Sequence, residues 1–246
     1  MNATLEKMTE LKFYGMRKAY QLSMETGGGS SEFTADELVT WLIEAEYNDR
    51  YNRKIERLLK QARFRYMATI EQINYNPQRN LDKNLLLRLA EGNYLKRKEN
   101  ILITGPTGAG KSYIASALGH QACVTGHKVM YMNMAKMFAH LKMLKADGSY
   151  AREINKIQKQ DLIILDDFGL HPMDMESVLS LLEIIEDRHG IRSTIITSQL
   201  PVNKWHELLG DQTIADAILD RLVHSSHRIE MKGESMRKTM NKIKED

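Results

Sequence analysis

The most informative segment of this chain is Gly105-Pro106-Thr107-Gly108-Ala109-Gly110-Lys111-Ser112. It matches the P-loop pattern G-x-x-x-x-G-K-[ST] at every constrained position. In such a loop the backbone N–H groups point at phosphate oxygens, and glycine allows a close approach because it has no side chain. Lys111 is predicted to reach the β- and γ-phosphates, and the Ser112 hydroxyl to ligate Mg²⁺. All eight residues are therefore candidate binding residues for a nucleotide, with ATP and Mg²⁺ as the expected cofactors.

The segments around this loop predict an α/β fold. A short apolar run precedes the loop and a helix follows it from about Lys111 to Val124, which is the strand–loop–helix order that a P-loop requires. Further short apolar segments alternate with helices, and this alternation indicates a parallel sheet covered on both faces. We predict a five-stranded parallel sheet between helices, with strands at 101–104, 128–134, 161–166, 193–198 and 227–231.

The chain before the P-loop predicts helices. Residues 3–24 have helical periodicity, and 27–31 form a Gly/Ser connector. Thr34 and Glu37 have the spacing of a capping box, which predicts a helix from there to about Arg63.

One more helix is predicted from Leu81 to Glu91, where Gly92 ends it. The change from helices alone to alternating strands and helices divides the chain in two. We predict a helical N-terminal domain at 1–70 and a P-loop ATPase domain at 71–246.

Composition sets the broad class of the protein. The chain has 246 residues, of which 42% are hydrophobic and 27% charged, as in ordinary globular proteins. A single cysteine excludes an intrachain disulfide, which fits a reducing compartment. Since no apolar run approaches 18 residues and no signal-peptide core is present, we expect a cytoplasmic protein with no membrane partner.

Hydrolysis requires a metal-binding acid and a group that positions water. The segment Leu162-Ile163-Ile164-Leu165-Asp166-Asp167 supplies both, because two carboxylates follow a buried strand where open α/β sheets bind ligands. Asp166 is the candidate Mg²⁺ holder together with Ser112, and Asp167 the candidate for orienting the attacking water. In the alternative, the pair only caps the following turn.

Three further polar positions complete the candidate site, whose catalytic set is Lys111, Asp166, Asp167, Gln199 and Arg221. The strand at 193–198 ends in Thr197-Ser198-Gln199, and Gln199 or Ser198 is predicted to sense the γ-phosphate; turn hydrogen bonds are the alternative. Arg221 is a candidate for an arginine supplied to a neighbouring subunit, which stabilises transition-state charge. Arg237 is a candidate for contacting the nucleotide within its own chain. Surface ion pairs are the alternative for both arginines.

A basic segment at 50–66 predicts an anionic partner. It carries seven basic residues and a single acid, Glu56. A local basic patch on a chain with net charge +3 indicates a defined anion-binding face, whereas a solvated helix face is the alternative. The candidate DNA-binding residues are Arg50, Arg53, Lys54, Arg57, Lys60, Arg63 and Arg65.

Longer motifs along the chain resemble one family, the IstB-like helper ATPases of bacterial insertion sequences. These are relatives of the DnaC-type helicase loaders within the AAA+ class. The resemblance covers nearly the whole chain. It rests on Arg57-Leu-Leu-Lys-Gln-Ala-Arg63-Phe, Tyr94-Leu-Lys-Arg-Lys-Glu-Asn100, Leu165-Asp-Asp-Phe-Gly169, Ile196-Thr-Ser-Gln-Leu-Pro-Val-Asn-Lys-Trp205, Leu219-Asp-Arg-Leu-Val-His224 and Lys232-Gly-Glu-Ser-Met-Arg237.

The resemblance implies an AAA+ ATPase that assembles on duplex DNA as a homo-oligomer and assists a transposase. It also implies that Arg221 is the arginine finger and Arg237 the second sensor. A DnaC-like helicase loader, which would bind single-stranded DNA and a helicase, is the alternative within the same class. A small-molecule kinase is the alternative from another class, but no segment has the character of a closing lid.

Overall fold

The computed structural model describes residues 2–25 and 34–233. The predicted connector at 27–31 lies outside these ranges. The chain divides into two compact units, Met1–Arg57 and Leu58–Asp246. This division comes earlier than the predicted domain boundary at 70. The reason is that Leu58, Ala62 and Ala68 are buried in the same core cluster as the apolar residues of the P-loop strand.

The first unit contains helices α1 (Asn2–Glu10) and α2 (Tyr14–Glu25) and most of α3 (Ala35–Ala62). The predicted helix at 3–24 is therefore broken, because Lys12 adopts a left-handed backbone and Phe13 N–H bonds to Met8 O, which closes α1.

The capping box at the start of α3 is confirmed. Thr34 N–H donates to Glu37 Oε2 at 2.7 Å, and Glu37 N–H donates to Thr34 Oγ1 at 3.3 Å. These bonds satisfy donors that the first helical turn leaves unpaired. The helix thus begins where the sequence predicts it.

The second unit is an α/β domain with short 3-10 turns at Ile70–Gln72, Pro77–Arg79 and Val202–Lys204. Its helices are α4 (Lys83–Ala90), α5 (Asn93–Arg97), α6 (Lys111–Val124), α7 (Met134–Asp147), α8 (Tyr150–Gln158), α9 (Met175–Arg188), α10 (Trp205–Leu209) and α11 (Gln212–Val223). Its strands are β1 (Asn100–Thr104), β2 (Val129–Asn133), β3 (Leu162–Phe168), β4 (Ser193–Ser198) and β5 (Ser226–Glu230).

The five strands form one parallel sheet in the order β2-β3-β4-β1-β5. All five predicted strands are present, with ends that differ by at most two residues. Strands β1, β3 and β4 are buried along almost their entire length, as expected for a parallel sheet covered by helices on both faces. Because the strands are parallel, their carboxyl ends meet at one edge, and β4 lies between β1 and β3.

Two apolar clusters cover the two faces of this sheet. The lone cysteine, Cys123 on α6, is fully buried in the first cluster. In the described ranges, no helix combines the length and apolar character needed to cross a membrane.

Candidate nucleotide site

The P-loop has the predicted position, between the end of β1 and the start of α6. Gly105 has φ +145°, and a Cβ atom there would lie 2.4 Å from Met231 O, so only glycine fits. Lys111 Nζ donates to Gly105 O at 2.8 Å and to Pro106 O at 2.9 Å. The lysine therefore fixes the loop from within while its charge stays at the end of the helix where phosphate is expected.

Arg79 supports the P-loop from behind, and no local pattern marks this role. Its guanidinium donates to Ala109 O at 2.8 Å and also to Asn74 O. A Cβ atom at Gly110 would lie 2.6 Å from Arg79 Nη2, so the close approach depends on glycine. Burial lowers the pKa of Arg79. This buried cation adds positive charge next to the loop.

Asp166, the candidate metal holder, is fully buried and surrounded by hydroxyl donors. Ser112 Oγ donates to Asp166 Oδ1 at 2.7 Å, which brings the two candidate metal-binding residues into contact. The hydroxyls of Thr197 and Tyr131 donate to the same carboxylate. Burial, and then the hydrogen bond to Asp166, raise the pKa of Tyr131 above its ordinary value.

These oxygen ligands fit Mg²⁺, which binds through one or two carboxylates plus substrate phosphates. No cluster of three or more His, Cys, Asp or Glu residues suited to a metal occurs in the described parts of the chain. A cation at Asp166 and Ser112 would thus depend on the nucleotide for its remaining ligands.

Asp167 has a strained backbone conformation and follows Asp166, the candidate metal holder. Its φ is +63°, and the pairing of β3 with β4 shifts register between Leu165 and Phe168. The Asp167 N–H donates to Thr197 Oγ1 at 3.1 Å, and its carboxylate accepts from Asn133 Nδ2 at 3.1 Å. A left-handed backbone at a non-glycine residue is sparsely populated and clusters at functional sites.

Arg65 lies at both carboxylates. Its Nη1 is 3.3 Å from Asp166 Oδ2 and 3.3 Å from Asp167 Oδ2. The sequence predicts a DNA contact for this residue, whereas the structure places it in the nucleotide site.

The two candidate sensors at the end of β4, Ser198 and Gln199, make different contacts. Ser198 is buried and donates to Phe168 O at 2.8 Å, so its hydroxyl is used within the sheet. Gln199 Oε1 accepts from Thr107 Oγ1 of the P-loop at 2.6 Å. Of the two candidates, Gln199 therefore contacts the loop through its side chain, whereas Ser198 does so through its backbone oxygen, which accepts from the Gly105 N–H at 3.2 Å. Thr197, which no sequence pattern marks, joins Asp166 to Asp167.

Arg221 lies near the amino end of β1, at the opposite end of that strand from the P-loop. Asn100, the first residue of β1, donates from Nδ2 to Arg221 O at 3.1 Å. The guanidinium donates to Glu186 Oε1 at 2.7 Å and to Ala217 O at 2.8 Å. The P-loop follows the opposite end of β1, so Arg221 is not part of its own chain's site. Arg237 lies outside the described residues.

The remaining basic candidates fall into two groups. In the first unit Arg50 and Arg53 pair with Glu46 and Asp49 of α3. Lys54, Arg57, Lys60 and Arg63 are exposed and make no ion pair within the described residues.

Residues 6–244 match the family described as IstB-like ATP binding protein. The chain belongs to this family. This IstB-like chain is 43% identical over 239 residues to an insertion sequence ATP-binding protein of Sinorhizobium fredii, with 97% of each chain covered. It is 34% identical over 206 residues to the IS21 ATP-binding protein of Pseudomonas aeruginosa, which covers 84% of this chain and 78% of the relative.

Solved structures show that this IstB-like chain shares its fold with DnaA and with a helicase loader. AMPPCP-bound DnaA from Aquifex aeolicus superposes with a TM-score of 0.60 at 18% identity, over 75% of this chain and 57% of DnaA. The DnaC helicase loader gives 0.57 at 17% identity, over 68% of this chain and 98% of the loader. The predicted α/β fold and the predicted family are thus confirmed, because the chain shares the fold of these proteins and belongs to the IstB-like family.

Proposed function

We propose that this protein is a Mg²⁺-dependent ATPase that assembles on duplex DNA and assists the transposase of its insertion sequence. The observation that carries the proposal is the meeting of the P-loop, the Ser112–Asp166 pair and Asp167 at one edge of the sheet. The names of the relatives, ATP-binding proteins of insertion sequences, support the transposition role.

The residues divide the chemistry between them. Lys111 and the loop N–H groups bind the phosphates, and Ser112 with Asp166 would hold Mg²⁺, which neutralises charge that develops on the phosphates. Asp167 orients the attacking water, because its carboxylate is the more exposed of the pair. Gln199 connects the P-loop to the end of β4 and is placed to respond to the γ-phosphate.

The first unit offers a surface for DNA phosphates. Lys12, Lys54 and Arg57 line a cleft of about 590 Å³ together with Leu11, Arg50 and Arg53. Phosphate contacts from such residues fix position without reading sequence, and they make binding steeply salt-dependent. This surface supports binding to duplex DNA of any sequence.

Self-association is supported by two features. Val39, Ile43 and Tyr47 are exposed at a spacing of four residues on α3, which is an apolar stripe. Arg221 lies away from its own nucleotide site, as an arginine that serves a neighbouring subunit must.

A helicase-loader role is the second candidate, and one observation favours it. The exposed rings of Tyr47 and Tyr51 stack in parallel, with centroids 6.4 Å apart, beside the basic residues of α3. Aromatic faces next to cations are typical of single-strand binding.

The test compares retention on duplex and single-stranded DNA, with ATP and Mg²⁺, across a salt series. Replacing Lys54 and Arg57 with Gln should weaken duplex binding and lower the salt slope by up to about 2, since each phosphate contact contributes roughly 0.9. The matched control replaces Arg152 and Lys159, two exposed basic residues at α8, with Gln.

Equal losses in both double variants would contradict the assigned surface. Tighter binding to single strands, and co-purification with a replicative helicase instead of the transposase, would favour the loader role.

A further inference from the structure

Arg65 is the charged partner of both candidate catalytic carboxylates. Its Nη1 lies 3.3 Å from one oxygen of Asp166 and 3.3 Å from one oxygen of Asp167. Asp166 is fully buried, whereas the Arg65 side chain is 42% exposed. The guanidinium thus reaches a buried carboxylate from the solvent side.

The local structure holds Arg65 in this place. The residue lies three positions after the end of α3, beyond a turn in which Arg63 has φ +56°. Its guanidinium carbon is 5.5 Å from the centre of the Tyr66 ring, and that ring packs against Tyr113 with centroids 6.1 Å apart. Tyr113 follows Ser112 on α6. Arg65 is therefore tied to the helix that carries the metal-binding serine.

The other donors to Asp166 are neutral hydroxyls from Ser112, Thr197 and Tyr131. Within residues 2–25 and 34–233, Arg65 supplies the ion pairs of both carboxylates. A magnesium ion held by Ser112 and Asp166 would bind the same carboxylate at about 2.1 Å and would repel the guanidinium that lies on the other oxygen of that carboxylate.

We propose that Arg65 and Mg²⁺ compete for the Asp166–Asp167 pair, so that binding of magnesium nucleotide displaces Arg65 from Asp166. Arg65 is then a positioning residue. Without Mg²⁺ it compensates the two carboxylates and keeps them from repelling the phosphates, and with Mg²⁺ it gives way. This inference rests on the proposed Mg²⁺-dependent nucleotide site.

The competition has a consequence for the turn at 63–66, which joins the basic helix α3 to the nucleotide domain. When Arg65 leaves Asp166, its link to the metal site is lost while its stacking on Tyr66 remains. The metal state of the site is thereby communicated to the residues that directly follow α3.

The test measures binding of the non-hydrolysable ATP analogue AMPPCP by calorimetry, in EDTA and across a Mg²⁺ series. Arg65→Met removes the charge but keeps an apolar stem against Tyr66. In EDTA it should bind AMPPCP several-fold more weakly than the wild type, because two uncompensated carboxylates face the phosphates. In the Mg²⁺ series its half-maximal Mg²⁺ concentration should fall about three- to tenfold, since the internal competitor is gone.

Two variants serve as controls. Arg152→Met removes an exposed charge from α8 and should change neither quantity. Arg65→Lys keeps the charge but not the fork that reaches two carboxylates, so its Mg²⁺ requirement should fall between those of wild type and Arg65→Met. This variant also keeps the test valid if Arg65→Met does not fold.

Weaker AMPPCP binding in EDTA together with a lower half-maximal Mg²⁺ concentration supports the competition. A merely structural residue would instead shift the affinities for AMPPCP and for Mg²⁺ in the same direction. Parallel changes, or none, overturn the competition. Failure of the wild type to bind AMPPCP at any Mg²⁺ concentration would instead overturn the proposed nucleotide site.

Discussion

At the scale of single residues, Thr197 links the two carboxylates of the site. Its hydroxyl donates to Asp166 and accepts from the Asp167 N–H. Thr197→Val keeps the branched shape but leaves the buried Asp166 carboxylate and the half-buried Asp167 N–H each short of a partner. We expect a loss of about 1–3 kcal/mol in the free energy of unfolding, measured in urea, together with lower ATP turnover.

Thr197→Ser is the matched control, because it keeps the hydroxyl. It should retain most of the turnover and lose less stability than the valine variant. Equal stability of Thr197→Val and the wild type would show that the hydroxyl bonds contribute nothing net.

Part of the site follows from local sequence and part does not. The P-loop and the Asp166–Asp167 pair are predictable because each lies within a few residues of the strand that positions it. Thr197 and Arg65 reach Asp166 across 31 and 101 residues of chain, so their roles depend on strand order and on how α3 meets the second unit's core. No spacing rule reports such contacts.

At the scale of elements, α6 packs closely on the sheet at Gly119. A Cβ atom there would lie 2.6 Å from Phe64 Cε1 and 2.7 Å from Ile164 Cδ1. Gly119→Ala should therefore destabilise the protein by about 1–3 kcal/mol through overpacking. This loss outweighs the roughly 1 kcal/mol that alanine gains over glycine in a helix. The change in the thermal melting midpoint between Gly119→Ala and the wild type measures the net loss of stability.

Gln121→Ala, a half-buried position on the same helix, is the control and should have little effect. A Gly119→Ala variant more stable than the wild type would mean that α6 can move away from β3 at no cost.

The reactivity of the Cys123 thiol reports whether α6 is packed against the core. Cys123 is fully buried, and burial raises the pKa of its thiol to about 12. The thiolate is the reactive form, so at pH 8 iodoacetamide should leave the native protein almost unlabelled and label the urea-unfolded protein fully. Mass spectrometry counts the modified molecules. Rapid labelling of the native protein would contradict the packing of α6.

The elements show where sequence patterns succeed. The five strands are predictable because short β-branched runs between helices have few other interpretations. The break between α1 and α2 is not predictable from the pattern, since Lys12 adopts a left-handed backbone that lysine rarely favours. Because the apolar periodicity continues across that break, the pattern predicts one helix where the structure has two.

At the scale of the whole molecule, the two ends of β1 lie next to two different candidate functional groups. The carboxyl end leads into the P-loop, and the amino end lies beside Arg221 through Asn100. The partly exposed ion pair of Arg221 with Glu186 contributes under about 1 kcal/mol, so stability does not require this arginine. Under the proposed function, a subunit arranged in this way would contain an incomplete hydrolytic site and an arginine that would complete another subunit's site.

This arrangement predicts complementation between two inactive variants. Lys111→Ala loses the phosphate-binding charge but keeps Arg221, and Arg221→Ala keeps the nucleotide site but lacks the arginine. Each alone should lose ATP turnover by at least about 10³-fold if the arginine acts as a finger. In a random one-to-one mixture, about a quarter of head-to-tail interfaces join an intact site to an intact arginine, so turnover should recover to a readily measured fraction of wild type. Mixing Arg221→Ala with the doubly substituted chain should restore nothing, because no chain in that mixture carries the arginine, and recovery there would show that turnover does not depend on Arg221. No recovery in the first mixture would place the function of Arg221 within its own subunit.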